Sequence, residues 1–75
     1  MGRVSFNAWL RRQQTRKDAV GDLARDMVND RCWPRRKRKL GCFSTHIRQN
    51  YSSAAIQALY NAWYEWGTQY RDGRL

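Results

Sequence analysis

The clearest pattern of apolar and polar positions lies between residues 54 and 70. Apolar side chains recur there at intervals of three and four, the spacing of one face of an α-helix, and glutamine, asparagine and glutamate occupy the opposite face. Ser52 or Ser53 can cap the start of this helix. The apolar face comprises Ala55, Ile56, Leu59, Tyr60, Trp63, Trp66 and Tyr70. We interpret this face as core, and Tyr64, at its edge, is the best candidate for stacking on a nucleobase.

Shorter patterns predict three further helices nearer the N-terminus. Each begins at a residue whose side chain can accept a hydrogen bond from the first free backbone amides of a helix. The predicted caps are Ser5, Asp18 and Ser44. The helices that follow them should span about 6–13, 18–30 and 45–51. Together with the C-terminal helix, these patterns predict a single all-α domain of four or five short helices over residues 1–75.

In the second predicted helix, charged and apolar side chains separate onto different faces. At about 100° per residue, Asp22, Asp26 and Asp30 follow Asp18 along one face, opposite the apolar residues. With no histidine beside them, these carboxylates are typical of a solvated or salt-bridged face, not of a metal or catalytic site. Gly21 lies in the first turn beside the apolar face, where the missing side chain would let another backbone approach closely.

The aromatic content indicates how so short a chain builds a core. A domain of this size buries only about 60% of the surface that its unfolded chain exposes, so the core needs large side chains. The chain of 75 residues has four tryptophans, four tyrosines and two phenylalanines, and only one proline. We predict a core that contains Trp9, Leu23, Met27, Ile47, Leu59 and Trp63.

The composition also shows a large excess of positive charge. Fifteen lysines and arginines against six aspartates and glutamates give a net charge of +9, and most of the cations are arginines. They concentrate in residues 1–17 and 31–64, on either side of the acidic stretch 18–30. One uninterrupted run consists of Arg35, Arg36, Lys37, Arg38 and Lys39. Because like charges repel, we expect residues 31–41 to form an exposed, extended loop whose basic run is mobile in the free protein.

Cys32, Cys42 and His46 look like three ligands of a zinc site. Structural zinc needs four ligands and usually a closely spaced cysteine pair, so we predict neither a metal nor another cofactor. The chain has no apolar run typical of a membrane span or a signal peptide, which predicts a cytoplasmic protein with no membrane partner. We therefore expect free thiols in place of a disulfide, with one or both packed in the core.

Several motifs resemble those of the YozE-like family of small bacterial proteins. They cover residues 5–66, and the most specific is the segment 21–26 followed later by an aromatic residue and a proline. The matching residues are Ser5, Phe6, Trp9, Leu10, Gly21, Asp22, Leu23, Ala24, Asp26, Asp30, Trp33, Pro34, Ile47, Tyr51, Ala62 and Trp63. The resemblance implies a compact helical fold similar to the sterile alpha motif, with nucleic-acid binding as a suggested function. Trp33 stands where the family usually has phenylalanine, and residues 35–39 replace an ordinary polar connection, so no family role extends to that run.

The residues favour a non-enzymatic module that binds nucleic acid, DNA in preference to RNA. Lysine and arginine that neutralise phosphates release condensed counterions, and arginine can form two parallel hydrogen bonds with a phosphate or a guanine. The predicted contacts are Arg35, Arg36, Lys37, Arg38, Lys39, Arg11, Arg12 and Arg48. The sequence contains no glycine-rich phosphate loop and no nucleophile with an orienting partner, so nothing in it points to an enzyme.

The same composition is compatible with a protein-interaction module. A small basic domain of this kind could be a phage or mobile-element protein that binds and inhibits a host complex, for example a CRISPR effector. The position of the cations distinguishes the two hypotheses. A continuous basic stripe favours nucleic acid, whereas a basic patch beside exposed aromatic residues favours a protein partner.

Overall fold

Four α-helices follow one another along residues 4–71, the part of the chain that the computed structural model describes. They are α1 (Phe6–Arg11), α2 (Ala19–Asn29), α3 (Leu40–Asn50) and α4 (Ser53–Trp66). A 3₁₀-helical turn (Arg12–Thr15) extends α1, and a π-helical turn (Gly67–Arg71) extends α4. The predicted all-α fold is confirmed. None of the described helices has the length and apolar character needed to cross a membrane.

Side chains cap the first two helices as the sequence predicts. At the start of α1, Oγ of Ser5 accepts a hydrogen bond from the amide of Ala8 at 3.2 Å. At the start of α2, Oδ1 of Asp18 accepts one from the amide of Gly21 at 3.0 Å. Ser52 occupies the same position before α4, where its side chain forms no capping bond. Each capping bond satisfies a backbone donor that has no partner inside its helix.

The third helix begins earlier than the sequence predicts. It starts at Leu40, so Ser44 lies inside the helix and its hydroxyl donates to a backbone carbonyl one turn earlier, at 3.2 Å. Leu40 packs half-buried against the core and shares a helical face with Phe43 and Ile47. Burial of this additional turn favours helix although no side chain caps it. The basic loop therefore ends at residue 39.

Side chains from all four helices and from the loop before α3 form one hydrophobic core. Five of the six predicted core residues are buried, while the sixth, Trp63, is only partly buried. The inward face of α4 consists of Ala58, Leu59, Ala62 and Trp66. Trp63 packs at the rim of the core, with its ring centroid 4.9 Å from those of Phe6 and Trp66. The helix is thus rotated relative to the prediction, in which the side chain of Trp63 lies in the core.

Gly21 allows α2 to lie unusually close to the segment that precedes it. A Cβ atom at this position would lie 2.1 Å from the carbonyl oxygen of Arg16 and 2.7 Å from its carbonyl carbon. Both distances are far inside the optimal separation of non-bonded atoms, about 3.5–4.0 Å for two carbons. The close backbone approach predicted at Gly21 is therefore confirmed.

The regular part of α4 ends at Trp66, whereas the sequence predicts a helix to residue 70. The amide of Gly67 bonds to the carbonyls of Trp63 and Tyr64, and the chain continues from there with π-helical geometry. Nε1 of Trp66 donates to the carbonyl of Val4 at 2.6 Å, which joins the end of α4 to the segment before α1. The predicted inward position of Tyr70 lies outside the described side chains.

Candidate nucleic-acid interface

Three arginines line one depression between α1 and the C-terminal end of α2. Arg11 ends α1, Arg12 follows it, and Arg35 belongs to the loop after α2. The depression has a volume of about 390 Å³, and its other lining residues are Asn7, Ala8 and Met27. Asn7 and Arg11 are four positions apart, as are Ala8 and Arg12, so one side of this segment presents them together. The fold thus brings two arginines of the N-terminal basic block beside the first residue of the basic run.

Arg35 holds the C-terminal end of α2 with its guanidinium group. Its Nη2 donates to the carbonyl of Met27 at 3.0 Å and to that of Asp30 at 2.8 Å. Each of these carbonyls also accepts a backbone amide at 3.3 Å, and the partial negative charge of a helix C-terminus favours a cation beside them. Arg35 is therefore hydrogen-bonded to the body of the protein, a contact that the charge pattern of the run does not predict.

Asn7 fixes the loop against α1. Its Nδ2 donates to the carbonyl of Arg35 at 2.8 Å and to that of Pro34 at 3.3 Å, and its Oδ1 accepts from Nε1 of Trp33 at 2.8 Å. The Trp33 side chain is buried and stacks on Phe43. The chain is thus anchored at three consecutive residues just before the remaining cations. The sequence gives no signal for this role, because an asparagine between apolar positions is equally typical of a solvent-facing residue.

The remainder of the basic run lies on the surface. Its members are Arg36, Lys37, Arg38 and Lys39, and all four are exposed. The segment opens with a turn in which the amide of Lys37 donates to the carbonyl of Pro34 at 3.3 Å. Within residues 4–71, these four side chains form no hydrogen bond or ion pair, and the same holds for the exposed guanidinium groups of Arg11 and Arg12. Six exposed cations are therefore available to an anion, two beside the depression and four in the loop that follows Arg35.

Arg48, another predicted contact, lies elsewhere. It lines a separate depression with Tyr51, Ser52, Ser53 and Ile56. Its Nη2 donates to the hydroxyl of Tyr60 on α4 at 3.2 Å. The structure therefore does not bring Arg48 into the depression lined by Arg11, Arg12 and Arg35.

Two further arginines pair with carboxylates. Nη1 of Arg16 lies 2.8 Å from Oε1 of Glu65, and Nη2 lies 3.0 Å from Oε2 of Glu65 and 2.6 Å from Oδ2 of Asp18. The bonds with Glu65, and then with Asp18, raise the pKa of Arg16 above its usual range, while Arg16 lowers the pKa of Asp18. Arg25 forms an ion pair with Asp22. The predicted salt-bridged face is confirmed at these two aspartates, and Arg16 and Arg25 are structural.

Asp30 does not share the predicted carboxylate face. Its Oδ2 accepts from the hydroxyl of Tyr51 at 2.7 Å and lies 2.7 Å from Nε2 of His46, while its Oδ1 accepts from the amide of Cys32 at 2.8 Å. The hydrogen bond with His46 lowers the pKa of Asp30 most, and the other two bonds lower it further against the effect of burial. Burial and the same carboxylate raise the pKa of Tyr51. The helical projection fails here because α2 ends at Asn29 and the chain changes direction.

The three residues that resemble zinc ligands are not assembled for that purpose. Cys32 is exposed and Cys42 is half-buried, and both are free thiols. Neither is part of the buried core, in contrast to the prediction, because one lies in the turn after α2 and the other beside the inward face of α3. His46 bonds to Asp30. In the part of the chain that the structure describes, no three potential metal ligands come together.

Among the described side chains, the most exposed aromatic one belongs to α4. Tyr64 is 73% exposed and Tyr60, one turn earlier, is 37% exposed. Tyr64 lines a depression that includes Arg16, Asp18 and Glu65, not the one lined by Arg11, Arg12 and Arg35. The ring is therefore exposed as a stacking partner must be, but it is separated from the candidate phosphate contacts.

The arrangement around α1 is suited to binding an anion. None of the residues that line its depression is acidic, and three of them are arginines. The planar guanidinium group binds the two oxygens of a phosphate or carboxylate through charge-assisted hydrogen bonds. These lining residues include no acid and base pair that could perform catalysis.

Comparison with known proteins bears on the fold. No curated protein and no solved structure matches the chain. The family described as the YozE SAM-like fold matches residues 5–68, which include all four α-helices and the loop between α2 and α3. That match extends over most of the 75 residues. The chain therefore belongs to the YozE SAM-like fold family.

Proposed function

We propose that the protein is a non-enzymatic nucleic-acid-binding module that contacts the phosphate backbone through a basic surface. We define the basic surface as Arg11, Arg12 and residues 35–39. The observation that carries the proposal is the convergence of Arg11, Arg12 and Arg35 around one depression. From Arg35, the loop between α2 and α3 continues directly into four exposed cations.

Electrostatics supports a polyanionic ligand. The net charge of +9 raises the rate at which a polyanion is captured, and six cations of the basic surface have no partner among the described residues. Each phosphate that such a cation neutralises releases condensed counterions, which supplies affinity that does not depend on base sequence. Arg16 and Arg25 are already paired with carboxylates and add little to this affinity.

DNA is the preferred target in this proposal. Arginine can reach guanine edges in the wide major groove of B-form DNA, whereas the major groove of A-form RNA is too narrow for side chains to read. Most of the unpaired cations on the basic surface are arginines. We propose the cytoplasm, the compartment that the sequence predicts, as the place where the protein acts.

A fluorescence-anisotropy titration over a salt series tests the proposal. Duplex DNA, single-stranded DNA and duplex RNA of equal length serve as ligands. Each phosphate contact contributes about −0.9 to the slope of log K against log salt on duplex DNA, so three to five contacts predict a slope of roughly −3 to −4.5. If the protein binds none of the three ligands at low salt, the proposal is overturned.

Charge-matched variants locate the binding surface. Arg12→Gln and Arg36→Gln each remove one positive charge from the basic surface, and Arg48→Gln removes one from a separate depression. The first two should each reduce the salt slope by about 0.9, while Arg48→Gln should leave it unchanged. An equal effect of all three would mean that net charge, and not this surface, determines binding.

A protein partner is the second candidate, and one observation favours it. The outward face of α4 carries Tyr60 and Tyr64 and no charged residue from Ser53 to Tyr64, and Arg48 bonds to Tyr60 beside it. Tyrosine and arginine are enriched at the energetic centres of protein interfaces, where other charges are depleted. Under this second function, replacing both tyrosines by alanine would abolish binding to the protein partner. The affinity for nucleic acid would be unchanged.

A further inference from the structure

We propose that Asn7 is the positioning residue of the basic surface. Its carboxamide holds the loop in the orientation that lets residues 36–39 and the two arginines of the α1 segment engage one nucleic acid together. This inference rests on the proposed function and adds that the two groups of cations are arranged before the ligand arrives.

The geometry assigns Asn7 this position because its side chain joins two distant parts of the chain. Nδ2 donates to the carbonyls of Pro34 and Arg35, 27 and 28 positions away, at 3.3 and 2.8 Å. Oδ1 accepts from Trp33 at 2.8 Å. The same helical turn that carries Asn7 leads to Arg11 four residues later, so the bonds relate the loop directly to the helix that carries the other cations.

Residues 36–39 need such an anchor. They repel one another, and within the described residues their side chains have no partners that would orient them. A loop that is ordered only by its ligand loses conformational entropy at that moment, which weakens binding. The other anchor nearby, the guanidinium of Arg35, bonds to the end of α2 and not to α1. Asn7 therefore sets the relation between the two groups of cations.

The alternative is that packing of the Trp33 ring, and not Asn7, orders the loop. Two variants separate these contributions. Trp33→Phe is the reference variant, in which an aromatic ring still packs on Phe43 and Asn7 keeps both donor bonds to the loop. Asn7→Ala is then added to it. Because the indole N–H is already absent, no buried donor is left without a partner. Alanine is also the better helix former, so α1 is not weakened.

Two measurements compare these variants. In the duplex-DNA titration, the double variant should bind roughly tenfold more weakly than Trp33→Phe, since ordering of the loop is then required on binding. Its salt slope should be unchanged, because the same phosphates are contacted. In the free protein, the amide of Lys37, which donates to Pro34, should exchange its hydrogen faster in the double variant.

Each result has a definite meaning. Equal affinity and equal Lys37 exchange in the two variants would overturn the positioning role while leaving the proposed function intact. A changed salt slope with unchanged exchange would overturn it as well, because Asn7 would then contact the ligand itself. Failure of the parent protein to bind any nucleic acid overturns the proposed function, and the exchange comparison still decides whether Asn7 orders the loop.

If the double variant does not fold, Asn7→Asp in the parent replaces it. This variant keeps the acceptor for Trp33 and loses both hydrogen bonds that Nδ2 donates to the loop, so faster Lys37 exchange is expected there too.

Discussion

Arg16 and Glu65, which lie 49 positions apart in the sequence, form a two-point ion pair with N–O distances of 2.8 and 3.0 Å. The pair ties the segment before α2 to the last turn of α4. Its two side chains are 29% and 36% exposed, so solvent partly screens the attraction. The geometry is nevertheless the parallel arrangement in which arginine and a carboxylate interact best.

Glu65→Gln should lower the free energy of unfolding by about 0.5–1 kcal/mol, since a partly exposed but bidentate pair is lost. Urea denaturation at low salt measures the effect, and at 1 M salt it should shrink because screening weakens the pair in the parent. The control is the same substitution in an Arg16→Gln background. A loss of equal size there would show that Glu65 stabilises the protein by other means.

Gly21→Ala should destabilise the protein by about 1–3 kcal/mol or more, because the added methyl group would collide with backbone atoms of Arg16 that cannot move aside freely. Gly41→Ala is the matched control. A Cβ at that exposed position in the first turn of α3 meets nothing within 4 Å. Alanine there should stabilise the helix by about 0.5–1 kcal/mol. Thermal denaturation of the two variants should therefore give shifts of opposite sign, and a Gly21→Ala protein as stable as the parent would refute the close approach.

Features that depend on neighbouring positions in the chain could be predicted from the sequence. The caps at Ser5 and Asp18 follow from residue type, and the inward position of Leu59 follows from helical spacing. The close backbone approach at Gly21 could be predicted because this residue lies beside the apolar face of its helix. A glycine at such a position is explained by a neighbouring segment that leaves no room for a side chain. These inferences succeed because a regular helix fixes the relative directions of its side chains.

Features that depend on contacts between distant segments could not be predicted. Asn7 matters only because the loop after α2 returns to α1, and Arg35 is held only because its guanidinium reaches the end of α2. A helical projection that continues past the end of α2 places Asp30 on the solvent face, although the helix ends at Asn29. In the candidate site, residue type names Arg11, Arg12 and Arg48 alike as possible contacts, and it gives no reason to separate Arg48 from the two that share a depression with Arg35.

Asp30→Asn should reduce stability at neutral pH by about 1–3 kcal/mol, since a carboxylate that accepts hydrogen bonds from three groups is replaced by a neutral amide. The pKa of Asp30 is lowered from 3.8 in the folded protein. Its contribution is therefore fully present above that value and is lost as the pH falls through the lower folded pKa.

Urea denaturation between pH 7 and pH 2 measures this dependence. The parent should lose stability toward acid more steeply than the variant, so that the two converge at the lowest pH. Asp26→Asn removes the same charge from an exposed residue of α2 and serves as the control, with stability close to that of the parent. Parallel curves for the parent and Asp30→Asn would contradict the role of the carboxylate.

Arg35→Gln should lower the free energy of unfolding by about 1–2 kcal/mol, because the guanidinium group that bonds to two carbonyls at the end of α2 is lost. In a domain of this size each 1 kcal/mol corresponds to roughly 4–8 °C in Tm. Arg36→Gln removes the same charge from the next residue, whose side chain has no partner among the described residues, so its Tm should match that of the parent. Both variants should bind DNA more weakly, and only the first should also melt at a lower temperature. Circular dichroism during heating distinguishes them, and identical melting of all three proteins would mean that Arg35 is as mobile as the charge pattern of the run predicts.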